Sequence, residues 1–128
     1  RAQLALAERL EKPVVLHCVR AFEYIMMTLE KYRLKAVIFH GFIGSVEQAQ
    51  PAVKQGHYLS FGERTFRSPK TIEALRSTPL SQLFVETDDD PSLNIASVYA
   101  EVAEIKGVTL AELERYIYEN YKRLFRLR

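Results

Sequence analysis

Val37-Ile38-Phe39-His40-Gly41-Phe42-Ile43-Gly44-Ser45 is the stretch on which the fold turns. Its apolar, β-prone run begins at Ala36, ends at His40 and stops at a glycine, as a buried strand does when it reaches a loop. Ser45, with Gln48 three residues on, has the spacing of an N-terminal capping box, and Gly56 suits the carboxyl cap of the helix between. Pro51 is expected to kink that helix. A second short run, His57-Tyr58-Leu59-Ser60-Phe61, then ends at Gly62. Strand, helix, strand with a helix-length crossover is a parallel unit.

The same unit repeats on both sides. Upstream, a helix over residues 2–11 is stopped by Lys12-Pro13, Val14-Val15-Leu16-His17 forms a strand, and a helix over residues 21–31 leads back to Ala36. Downstream, a loop gives way to a helix over 69–77 and a strand Leu83-Phe84-Val85-Glu86-Thr87 that ends at Asp88. Two helices close the chain, over 95–106 before Gly107, and over 110–125 behind Thr109 and Glu112, a second capping box. Uninterrupted alternation of this kind predicts an α/β fold with a parallel sheet and one domain over residues 1–128.

Composition agrees with a globular chain. Its 128 residues are 48% hydrophobic and 27% charged, with five Gly and five Pro, too few for a disordered or fibrous class. The formal charge of +2 excludes the strongly basic footprint of a protein that coats nucleic acid without regard to sequence. Cys18 is the single cysteine, so no internal disulfide demands an oxidising compartment and a cytoplasmic setting is expected. No apolar run approaches the ~18 residues of a membrane span.

In parallel α/β sheets, reactive groups gather where strands end and helix amino termini begin. His17 ends the first strand, His40 the second, and Asp88 follows the fourth. Imidazole nitrogen and carboxylate oxygen are ordinary ligands of Zn²⁺ or Mn²⁺, so these three residues form a candidate metal site in which Asp88 can also accept a proton from water. Glu86 lies inside an apolar strand, on the same side as Asp88 by alternation. A carboxylate there needs a metal or a hydrogen bond to a ligand to offset its burial. Arg20, Arg64, Arg67 and Lys70 follow strand ends and suit an anionic substrate. His57 begins its strand, at the opposite end of the sheet, and is expected to be structural or solvated. Val-Leu-His-Cys at 15–18 also suggests the thiolate loop of a phosphatase. That loop needs a glycine and an Arg six residues after the cysteine, where this chain has Tyr24, so Cys18 is expected to be a small buried residue.

Taken in order, Pro13-Val14-Val15-Leu16-His17, Val37 to Ser45, Gly56 to Gly62, Glu86-Thr87-Asp88 and Asn120-Tyr121-Lys122-Arg123-Leu124-Phe125 resemble the TatD family of metal-dependent deoxyribonucleases, over nearly the whole chain. The resemblance implies a TIM (β/α)8 barrel hydrolase that cuts phosphodiester bonds with one or two divalent ions, whether Zn, Mn, Mg, Ni or Ca. It implies that His17 and His40 match ligands of one metal on strands five and six, and that Asp88 matches the aspartate after strand eight, which binds the other metal and helps activate water.

Such a barrel takes ~250 residues, so the resemblance also implies that this chain is its C-terminal half. The amino-terminal ligands then lie in a missing half or a second chain, and this chain alone is expected to be inactive. A four-stranded half is further expected to leave an apolar sheet face and two strand edges uncovered. Two departures border the substrate cleft: Val19 stands where the family has Arg, with Arg20 one place later, and the residues after Asp88 run quickly into a helix. Two other readings stay open from the residues. One is a metal-dependent hydrolase of a small phosphoester, amide or lactone. The other is a non-enzymatic flavodoxin-like or receiver-like binding module with an acidic pocket at Asp88, Asp89 and Asp90.

Overall fold

The computed structural model describes residues 37–86 and 95–125 together with the backbone of 14–17. The helices expected over 2–11 and 21–31, and the residues Cys18, Arg20 and Asp88 to Asp90, lie outside the described residues. Four strands form one sheet: β1 (Val14–His17), β2 (Val37–His40), β3 (Tyr58–Phe61) and β4 (Leu83–Val85). Every pairing is parallel and each strand lies beside its predecessor, in the order β1-β2-β3-β4. A flavodoxin-like or receiver-like sheet reverses direction at a switch point. These four strands wind one way only, which removes the binding-module reading.

Among the described residues four helices accompany the sheet: α1 (Val46–Lys54), α2 (Pro69–Ser77), α3 (Ile95–Lys106) and α4 (Leu110–Phe125). Their ends are where the sequence puts them. At the start of α1 the Gln48 amide N–H donates to Ser45 Oγ and the Ser45 N–H to Gln48 Oε1. Thr109 and Glu112 make the same reciprocal pair ahead of α4. Gly56 and Gly107 end α1 and α3 with φ of +84° and +71°, which an L side chain adopts only with strain. α1 runs on through Pro51 to Lys54.

Alternation along the strands divides the side chains between two faces. Val37, Phe39, Leu59, Phe61 and Leu83 enter the main core, where Ala49 and Ala52 of α1, Leu75 of α2, Val102 of α3 and Leu113 of α4 meet them. On the other face Ile38, Tyr58 and Leu124 form a second buried cluster with Phe84 against it. The expectation of a bare apolar sheet face is therefore corrected at these residues. Ile38 and Tyr58 are each only 7% exposed, because α4 brings Leu124 against their end of the sheet.

α4 is held there by Asn120, which is fully buried. Its Nδ2 donates to the carbonyls of Leu80 and Leu83, each at 2.9 Å, while its Oδ1 accepts from Arg123 at 2.6 Å. The carbonyls belong to the short 3-10 turn Leu80–Gln82 and the first residue of β4, so one side chain fixes where that strand begins. The loop expected after β3 contains a further 3-10 helix, Glu63–Arg67.

β3 starts at Tyr58 because the His57 N–H is already committed to Ala52 at the end of α1. The His57 ring is buried edge-on to Phe39, so its structural role is as expected. Burial disfavours the imidazolium and lowers its pKa below the usual ~6.5. The unfolded chain thus takes up this proton at a higher pH than the folded one. Stability is expected to be complete above about pH 6.5 and to fall as pH drops towards the folded value, by up to ~1.4 kcal/mol per pH unit. Urea unfolding at several pH values checks this, and His57→Phe should flatten the slope. An unchanged slope in that variant would contradict it. No described helix is long and apolar enough to cross a membrane.

Candidate metal centre

The carboxyl ends of β2, β3 and β4 converge on one carboxylate. β4 ends at Val85, but the Glu86 N–H still donates to the Phe61 carbonyl at 2.9 Å, extending the ladder by one bond. That bond sets Glu86 beside the end of β3 and turns its side chain towards β2. There Oε1 accepts the Gly41 N–H at 2.8 Å, and Oε2 lies 2.8 Å from His40 Nε2. The Glu86 side chain is 8% exposed and that of His40 32%. The burial cost foreseen for Glu86 is met at Oε1 by a backbone donor, while at Oε2 the His40 imidazole stands at ion-pair distance rather than in a hydrogen bond.

Two glycines make this possible, and neither stood out in the sequence as part of a site. Gly41 has φ of +67°, which lets the chain turn just after His40 and aim its N–H at the carboxylate. Gly62 makes room: a Cβ there would sit 2.8 Å from the Glu86 carbonyl oxygen and 3.1 Å from its Cγ. The signal was the placement of each glycine directly after a strand, at His40-Gly41 and Phe61-Gly62. Gly62→Ala is expected to displace Glu86 and to cost about 1–3 kcal/mol by overpacking. Chemical denaturation measures the cost, and a loss well under 1 kcal/mol would mean that the β4 end yields freely.

His17 and His40 are Cα partners across β1 and β2, so the backbone register sets the two strand-end histidines in one row. Arg64 is exposed in the 3-10 helix that leaves the same end of β3. Arg67 in that helix lies 3.6 Å from Glu63. His57 stands at the opposite end of β3. The structure therefore brings His40 and Glu86 together beside the backbone of His17, while Asp88 and Arg20 lie outside the described residues. Among the described residues no three His, Cys, Asp or Glu side chains form a metal-sized group.

The donor set nonetheless suits a cation. In the neutral ring a carboxylate on Nε2 holds the proton there and makes Nδ1 the lone-pair nitrogen, and a carboxylate behind an imidazole is the usual support of a ligating histidine.

Comparison with known proteins gives a consistent picture. A family profile described as TatD related DNase matches residues 1–126. An uncharacterized metal-dependent hydrolase of Bacillus subtilis, YabD, is 34% identical over 99% of this chain and 56% of its own length. The human deoxyribonuclease TATDN3 is 27% identical over 96% of this chain and 48% of its own. The crystal structure of YjjV, a TatD homologue from Escherichia coli, superposes with a TM-score of 0.88 at 30% identity, covering 98% of this chain and 54% of that one. A TatD family hydrolase from Entamoeba histolytica shares the fold, with a TM-score of 0.82 at 14% identity. The chain spans about half the length of the curated relatives it matches.

Proposed function

This chain belongs to the TatD related DNase family, and from that premise we propose that it forms strands five to eight of a (β/α)8 barrel hydrolase, the C-terminal half of one domain. The observation that carries the reading is the bracket of His40, Gly41 and Glu86 at the sheet's carboxyl end, with His17 in register beside it. His17, His40 and Asp88 would hold one or two divalent ions. Bound there, such an ion supplies Lewis-acid stabilisation of a phosphodiester's oxygens and makes water acidic enough to attack.

The chain's own groups do the rest. Glu86 keeps the proton on His40 Nε2 and so presents the opposite nitrogen in one orientation. The Asp88 carboxylate accepts the proton of the attacking water, and the Arg20 and Arg64 guanidiniums pair with phosphate oxygens and orient the backbone of DNA. Only part of the ligand set lies on this chain, so we expect it to be inactive without the other half of the barrel. With its single cysteine, Cys18, the proposed setting is the cytoplasm.

Titrating Mn²⁺ into a protein that carries both halves, and following cleavage of DNA and of a small phosphoester with and without chelator, tests the proposal. Chelator-sensitive DNA cleavage is expected. Turnover of the small ester alone would move the assignment to the second hydrolase reading. Activity indifferent to chelator would overturn the metal centre, and cleavage by the isolated chain would overturn its inactivity.

A further inference from the structure

The turn between β2 and α1, residues 41–45, is held from four directions. The Gly41 N–H donates to Glu86, just past the end of β4, and the Phe42 N–H donates to the Ser60 carbonyl of β3 at 3.1 Å. The Ser45 N–H goes to Gln48 of α1. The fourth support comes from α2, where Thr71 Oγ1 accepts the Gly44 N–H at 3.0 Å. Gly44 is buried and Thr71 has no exposed surface, so water cannot readily stand in for that hydroxyl.

Thr71 is also the end of a row. Thr65, Ser68 and Thr71 recur every three residues, which places them on one side of the strap that joins β3 to α2. Thr65, as fully buried as Thr71, accepts the Gly62 N–H on its Oγ1 at 3.2 Å. The Ser68 N–H donates to the Thr65 carbonyl at 3.1 Å, and Ser68 Oγ lies 2.8 Å from Thr71 Oγ1. Ser68 occupies the N-cap of α2 but makes no side-chain cap, because its hydroxyl is directed to Thr71 instead. The row thus runs from Gly62, against which Glu86 packs, to Gly44 in the turn that follows His40. Arg64 leaves the same strap on its exposed side.

We infer that Thr71 is a positioning residue for the bracket of His40 and Glu86. Its hydroxyl fixes the turn whose first residue, Gly41, holds one carboxylate oxygen while the other faces His40 Nε2. The inference rests on the metal-centre reading above and extends it to a residue outside the bracket. A ligating side chain must be held within about 0.5 Å of its working place. Gly41 has φ of +67°, and glycine leaves any one conformation easily, so its N–H stays aimed at Glu86 only while the far end of the turn is fixed. Thr71 and the Ser45 cap fix that end from two different helices.

The test compares three substitutions in a protein that carries both halves of the proposed barrel. Thr71→Val keeps the branched shape and removes the hydroxyl, whereas Thr71→Ser keeps the hydroxyl and removes a methyl. Thr78→Val is the control, because Thr78 is equally buried just past the other end of α2 and donates to the Ala74 carbonyl at 2.8 Å. Both valine variants should lower the urea midpoint. Thr71→Val alone should weaken Mn²⁺ binding, by about tenfold, and should let the Gly41 and Gly44 amides exchange with solvent at least about tenfold faster. Thr71→Ser should restore both. Unchanged Mn²⁺ affinity in Thr71→Val would overturn the inference, as would an equal loss in Thr78→Val or a serine variant no better than the valine one. A parent that binds no Mn²⁺ removes the metal centre, and the exchange of Gly41 then decides the role of Thr71 by itself. If Thr71→Val does not fold, the parent still decides. Under rising urea its Gly41 and Gly44 amides should open in one step, and separate release would overturn the coupling.

Discussion

In a protein that carries both halves of the proposed barrel, Glu86→Ala is expected to weaken metal binding by about 10- to 100-fold and to destabilise the fold by about 1–3 kcal/mol. Both effects come from one carboxylate with two tasks. Oε1 satisfies the Gly41 N–H in the turn that follows β2, and Oε2 lies 2.8 Å from His40 Nε2, where on the reading proposed above it fixes the ring proton. Alanine leaves the N–H without its acceptor and the imidazole without its orienting partner. Glu86→Gln separates the tasks. Its carbonyl oxygen can still accept from Gly41, but its NH₂ placed against Nε2 pushes the His40 proton to the nitrogen meant for the metal. The glutamine variant should therefore keep most of the stability and lose most of the metal affinity. Calorimetric titration with Mn²⁺ beside urea unfolding reads the two separately. A glutamine variant that binds metal as well as the parent would mean that Glu86 does not set the tautomer of a ligand.

Asn120→Leu is expected to cost about 2–4 kcal/mol, although leucine has the same branching as asparagine. The substitution removes both donations to Leu80 and Leu83 and the acceptor of Arg123, in a position with no exposed surface. Each stranded carbonyl loses a partner that water cannot readily replace, at a cost of about 1–3 kcal/mol. Asn120→Asp should be at least as harmful, because it keeps the Arg123 contact but turns carboxylate oxygens towards two carbonyls. The midpoint of urea unfolding for the isolated chain measures both. A loss below about 1 kcal/mol in the leucine variant would show that β4 holds its start without this side chain. A larger loss carries a functional consequence, since the strand that Asn120 pins at one end delivers Glu86 at the other.

The sequence by itself determined the elements of the described residues and the end of the sheet at which His40 and Glu86 meet. Helices over 69–77, 95–106 and 110–125 have the observed bounds, because their starts and stops are local events: a proline at the first turn, a capping box, a glycine past the last turn. His40, Glu86 and the structural role of His57 were legible for a related reason. Strand alternation and strand ends are properties of consecutive residues, and a carboxylate in an apolar run announces a cost that something must offset. Only the tertiary structure decided what offsets it. Glu86 and Gly41 lie 45 residues apart, and their contact depends on the register of three strands and on the missing Cβ of Gly62. The order of the strands, which removed the binding-module reading, and the covering of Ile38 and Tyr58 by α4 were equally hidden. Asn120 stood in the sequence only as part of a resemblance, because a hydrogen bond to a carbonyl 40 residues away leaves no mark on its neighbours. Local pattern states which groups must be buried or capped, and packing alone chooses the partner.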